Sequence, residues 1–104
     1  MKLELLYFDG CPGYAELRAR LPGLLARSGV DARIVERRVE SDDDAERERF
    51  PGSPTVRIDG QDIEPSSAAA GTVGLTCRLY ATPDGLARTP PDDLIIGALK
   101  RAAA

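Results

Sequence analysis

The chain contains no histidine. That absence excludes Cys-His and Ser-His catalytic pairs and mixed Cys/His zinc sites, because the required base or nitrogen ligand does not exist. Cysteine is scarce as well, with 2 in 104 residues. In a reducing compartment two thiols point to redox or metal chemistry more readily than to a disulfide scaffold. A basic stripe is missing: 14 basic and 17 acidic residues give a formal net charge of -3, so no nucleic-acid partner is expected. Long apolar runs are also missing. The N-terminal one, Leu3 to Phe8, is interrupted by Glu4 and is too short for a signal-peptide core or a membrane span. The expectation is a cytoplasmic protein, with residues 1–104 forming one domain large enough for a hydrophobic core, no internal repeats, no membrane partner and no cofactor. Its chemistry must use thiols, carboxylates, tyrosines and backbone groups.

What is present is organised around Phe8-Asp9-Gly10-Cys11-Pro12-Gly13-Tyr14. This stretch follows the apolar run and precedes an amphipathic helical pattern, so Cys11 is expected where a strand turns into a helix. The first N–H groups of a helix lack intrahelical partners and carry the positive end of its dipole, which stabilises an anion such as a thiolate. Pro12 suits the first helical position, where its missing N–H costs nothing. A cysteine at that address suits a nucleophile or a soft-metal ligand.

Leu3 to Phe8 is apolar on both faces apart from Glu4 and predicts a central strand with a parallel neighbour. Tyr14, Leu17, Leu21, Leu24 and Leu25 recur at helical spacing up to Gly29, with a kink or short break expected at Pro22-Gly23. Asp31 to Glu40 reads as a second strand with a wet face. Ser41 caps a short helix running to about Arg49, anchored by Phe50 and stopped by Pro51-Gly52. The acidic run Asp42-Asp43-Asp44 is a solvated helix start without the ligand spacing of a calcium loop. Ser53 to Ile58 is a strand entered through Pro54, and Asp59-Gly60 turns it into an antiparallel return over Gln61 to Glu64. Pro65 to Gly74 is small, aperiodic and expected as a loop. Leu75 to Tyr80 reads as an added edge strand followed by the turn Thr82-Pro83-Asp84-Gly85. Thr89 is the expected cap of a last helix whose buried face is Leu94, Ile95, Ala98 and Leu99.

The order strand, cysteine turn, helix, strand, helix, proline-led strand, hairpin, helix resembles a thioredoxin fold. Two motifs carry the resemblance: Cys11-Pro12, at the position of the family's first active-site cysteine, and Ser53-Pro54-Thr55-Val56, which is similar to its cis-proline loop. It spans nearly the whole chain, with 65–85 exceeding the family's minimal pattern. The resemblance implies a three-layer α/β/α sandwich with a mixed four- to five-stranded sheet, a cis Ser53-Pro54 peptide facing Cys11, and backbone hydrogen bonds from Ser53 to an extended substrate. The family's second cysteine, three residues after the first, is here Tyr14, expected as packing at the site wall.

The candidate catalytic residues are therefore Cys11, Cys77 and Asp9, and the candidate substrate-binding residues are Pro12, Gly13, Tyr14, Ser53 and Pro54; no metal is assigned. Cys77 either approaches Cys11 as a resolving thiol or is an edge-strand cysteine that never meets it. Asp9 either moves protons at the same rim or only shapes the Asp-Gly turn. Three functions follow. The first is an atypical thiol-disulfide oxidoreductase acting on a protein or low-molecular-weight thiol or disulfide partner, with Cys77 or a small thiol such as glutathione or mycothiol resolving the intermediate. The second is soft-metal capture of mercury or copper by two thiolates and a carboxylate, an inventory loosely similar to that of organomercurial lyases. The third is a redox-inactive thioredoxin-like binding module.

Overall fold

The computed structural model describes residues 1–65 and 73–104. Strand β1 (Lys2–Tyr7) lies at the centre, and its side chains explain why. Leu3 and Leu5 point to one face and Leu6 to the other, and all three are fully buried, so β1 must be covered on both sides. It pairs in parallel with β2 (Arg33–Arg38), Leu3 opposite Ile34, and antiparallel with β3 (Thr55–Ile58), Leu5 opposite Val56. β4 (Gln61–Asp62) returns antiparallel on β3 and completes a mixed four-stranded sheet in the order β2-β1-β3-β4. The return is tight because Asp59 and Gly60 both adopt positive φ, as the strongly twisted two-residue hairpin requires.

Three helices are seen among the described residues: α1 (Pro12–Ser28), α2 (Asp42–Glu48) and α3 (Asp92–Ala103). The Leu3/Leu5 face packs with Leu17, Leu21 and Leu24 of α1 and with Ile95 and Leu99 of α3. Leu6 packs on the opposite side with Val39, Phe50 and Ala45 of α2. Helices therefore cover both faces of an α/β sheet.

Helix boundaries follow local chemistry. Gly29 ends α1 in the left-handed conformation, φ 70°. Ser41 caps α2 by accepting the Asp44 N–H (3.1 Å). Arg49, not Pro51-Gly52, terminates α2, by entering the left-handed region at φ 51°.

Several expectations need correction. α1 runs without a break through Pro22-Gly23. Both residues are solvent-exposed, so water can serve the carbonyl that proline leaves unpaired, and the apolar contacts of Leu21 and Leu24 hold the helix together. Leu75 to Tyr80 does not add a fifth strand to the sheet. It makes a single parallel bridge, Cys77 with Ser53, and then enters a separate hairpin of β5 (Tyr80–Thr82) and β6 (Gly85–Ala87). Thr89 does not cap α3. Pro91 occupies that position, and the Thr89 hydroxyl accepts from Arg20 Nη1 (2.8 Å). The expected loop 65–74 lies largely outside the described residues. No helix among those described is long and apolar enough to cross a membrane.

Candidate functional site

Cys11 is the N-cap residue of α1, with extended backbone (φ -76°, ψ 115°), and its N–H donates to Phe8 O (3.4 Å). The strand end thus delivers the thiol to the helix start, with Pro12 inside the first turn, as its fixed φ favours. Cys11 is only 6% exposed. Pro12 beside it is exposed and Gly13 is buried.

Gly13 is where other elements reach this helix end. A Cβ built on it would lie 2.8 Å from Arg88 O and 3.2 Å from Pro54 Cδ. The proline loop and the exit of the β5–β6 hairpin therefore both close on the first turn of α1. The Ser53-Pro54 peptide is cis. Its two residues are deeply buried, Ser53 at 1% exposure. Ser53 pairs with Cys77 in the parallel bridge, its N–H donating to Thr76 O (2.8 Å) and its carbonyl accepting from Arg78 N–H (2.9 Å). Cys77 itself is exposed, and among the described residues both cysteines are free thiols. One loop, Ser53-Pro54, thus touches the segment that follows Cys11 on one side and the segment that carries Cys77 on the other.

Tyr14 stacks on Tyr7, ring centroids 3.8 Å apart and 10° from parallel, and its hydroxyl donates to Glu36. That bond to a carboxylate, with some desolvation, holds the phenol well above its ordinary pKa, so Tyr14 remains protonated. It forms a wall between β1, β2 and α1. Asp9 is exposed and accepts from Arg38 Nη1 (2.9 Å), while Arg38 also donates to Glu40 (2.6 Å). Asp9 thus belongs to a charged rim. That rim, with Phe8, Val39 and Leu75, lines a cavity of about 220 Å³ within three residues of Cys11. Among the described residues no three Cys, Asp or Glu side chains gather as a metal-holding group.

Beneath the proline loop lies a buried polar network absent from the candidate residues. Arg78 is 4% exposed and donates to Asp62 Oδ2 (2.7 Å) and Oδ1 (2.9 Å), to Thr55 Oγ1 (3.2 Å) and to Glu64 O (3.1 Å). Burial, the largest single influence, works against its charge, but the Asp62 hydrogen bonds together with the charges of Tyr80, Asp62 and Glu64 outweigh it and the pKa is raised. Its guanidinium sits 4.6 Å from the ring centre of Tyr80, whose hydroxyl donates to Pro54 O (2.6 Å). Desolvation, opposed by the Arg78 charge, raises the Tyr80 pKa well above the ordinary phenol value. A signal for these residues exists in the alternation of Leu75 to Tyr80, which sets Arg78 and Tyr80 on the same side of an extended segment. Nothing in the alternation indicates that their side is the inner one, and 17 acidic residues leave the partner of Arg78 undetermined.

No protein-family model, curated protein or solved structure matches this chain, so the candidate site rests on its own residues and geometry.

Proposed function

We propose that this chain is a thioredoxin-like thiol-disulfide exchange protein with Cys11 as nucleophile and Cys77 as resolving thiol. The observation that carries the reading is the shared loop: Pro54 packs on Gly13, two residues beyond Cys11, and Ser53 pairs with Cys77. The Cys11 address adds to it, since the thiol stands at the start of a 17-residue helix, where backbone amides have no intrahelical partner. The order of elements and the α/β layering are compatible with the three-layer sandwich that the resemblance implies.

In the exchange the Cys11 thiolate attacks one sulfur of a substrate disulfide, the S–S bond breaks, and one substrate thiolate leaves. The Cys77 thiolate then attacks Cys11 sulfur in the mixed disulfide, releasing the second substrate thiolate and forming a Cys11–Cys77 disulfide. The substrate gains two electrons, the protein loses two, and the two cysteine protons end on the departing thiolates. A low-molecular-weight thiol restores the reduced protein.

Mass analysis after oxidation by a substrate disulfide tests the scheme. The expected product is a Cys11–Cys77 crosslink, replaced in Cys77→Ser by a persistent mixed disulfide on Cys11. A protein whose Cys11 stays unmodified until it is unfolded overturns it. That outcome belongs to the second reading, a redox-inactive binding module, which the 6% exposure of Cys11 favours.

A further inference from the structure

The backbone from Phe50 to Pro54 forms an edge to which an extended peptide can add a strand only if its polar groups are free. They are taken. Gly74 N–H donates to Phe50 O (3.1 Å), Ser53 N–H to Thr76 O (2.8 Å) and Arg78 N–H to Ser53 O (2.9 Å). Two further acceptors are engaged, Gly52 O by Thr55 Oγ1 (2.6 Å) and Pro54 O by the Tyr80 hydroxyl (2.6 Å). Gly52, at φ 133°, makes the close approach possible, because a Cβ there would lie 2.9 Å from Arg78 Cβ and 3.0 Å from Thr76 O. The pairing is held from behind by the bidentate Arg78–Asp62 ion pair.

We infer that Thr76–Arg78 occupies, within the same chain, the strand-addition position beside Ser53-Pro54, so that the Cys11 site accepts low-molecular-weight disulfides and rejects extended polypeptide disulfides. The inference rests on the thiol-exchange reading and names its substrate class. A polypeptide that docks by strand addition gains affinity from main-chain hydrogen bonds to an edge. At Ser53 it would first have to displace 76–78, which exposes the edge and pulls a buried guanidinium from its carboxylate. A small disulfide needs no edge. It needs a sulfur that Cys11 can attack and room for two short substituents; a cavity of about 220 Å³ opens beside Phe8 and Asp9, the residues that lead into Cys11, with apolar walls at Phe8, Val39 and Leu75 and charge at Asp9, Arg38 and Glu40, although Cys11 does not itself line it.

The test compares two disulfides with one leaving group: bis(2-hydroxyethyl) disulfide, and an extended peptide whose single cysteine carries a 2-hydroxyethylthio group. Stopped-flow rates of mixed-disulfide formation at Cys11 are normalised to those of free N-acetylcysteine. The small disulfide is expected to react faster by about tenfold or more. Gly52→Ala, which forces 76–78 away from Ser53, is expected to narrow that ratio; a folded Gly52→Ala protein with an unchanged ratio overturns the inference, and if this variant does not fold, the native ratio decides. Equal rates in the native protein overturn the inference and leave thiol exchange standing. Failure of Cys11 to react with either disulfide removes the exchange reading, and the inference with it.

Discussion

At Gly13 a methyl group has nowhere to go. The neighbouring atom is a backbone carbonyl, Arg88 O at 2.8 Å, and Pro54 Cδ bounds the other side at 3.2 Å, so neither gives way cheaply. Gly13→Ala is expected to cost about 1–3 kcal/mol in urea unfolding, as overpacking does. Gly23 sits in the same helix, solvent-exposed and with nothing within 4 Å of a built Cβ. There alanine lowers the entropy of the unfolded chain without a clash, and Gly23→Ala is expected to stabilise by about 0.5–1 kcal/mol. Opposite signs from one substitution in one helix identify close approach, and not helix propensity, as the reason for glycine at 13. Equal shifts would refute this. Tyr14 makes a related point, since contacts fix its place: its ring is held by Tyr7 and its hydroxyl by Glu36.

Between elements, Arg20 adds a polar tie to the apolar contact of α1 with α3. Its guanidinium donates to Thr89 Oγ1 (2.8 Å), Pro90 O (2.9 Å) and Asp92 Oδ1 (2.5 Å), tying the first helix to the entry of the last. Arg20→Ala removes three charge-assisted bonds and is expected to lower stability by about 1–3 kcal/mol. The Arg20 hydrogen bond holds the Asp92 carboxyl below its ordinary range, aided by Arg27. With the folded pKa depressed, this contribution is complete above the unfolded carboxylate pKa and is lost as pH falls through the folded value. Urea midpoints of the native protein and Asp92→Asn should therefore differ at neutral pH and converge below about pH 4. A gap that stays constant down to acid pH would rule out the linkage.

Over the whole molecule, the Asp62–Arg78–Tyr80–Pro54 network joins the hairpin, the proline loop and β4, and it carries a titratable group inward. Burial raises the Tyr80 phenol above its ordinary pKa. Above about pH 10 the unfolded chain has lost this proton while the folded chain keeps it, so the unfolded state binds fewer protons and stability falls, by about 1.4 kcal/mol per pH unit until the folded group ionises. Chemical unfolding between pH 9 and 11.5 should show that slope, reinforced by Tyr14, and Tyr80→Phe should flatten it. An unaltered slope in Tyr80→Phe would assign the alkaline loss elsewhere.

Local rules carried much of the architecture. Apolar parity placed β1 at the centre, helical spacing laid out the buried faces of α1 and α3, and Asp59-Gly60, Ser41 and Gly29 set a turn, a cap and a stop, because each of these depends on a residue's own backbone preference or on neighbours a few positions away. The same short range delivers Cys11 to a helix start. Whether Leu75 to Tyr80 joins the sheet, that Thr89 serves Arg20 and not α3, that α1 crosses Pro22-Gly23 intact, and that Arg78 goes inward to Asp62 were decided only in the tertiary structure. Each turns on a partner 15 or more residues away, or on which side of an element meets solvent, and alternation alone specifies neither.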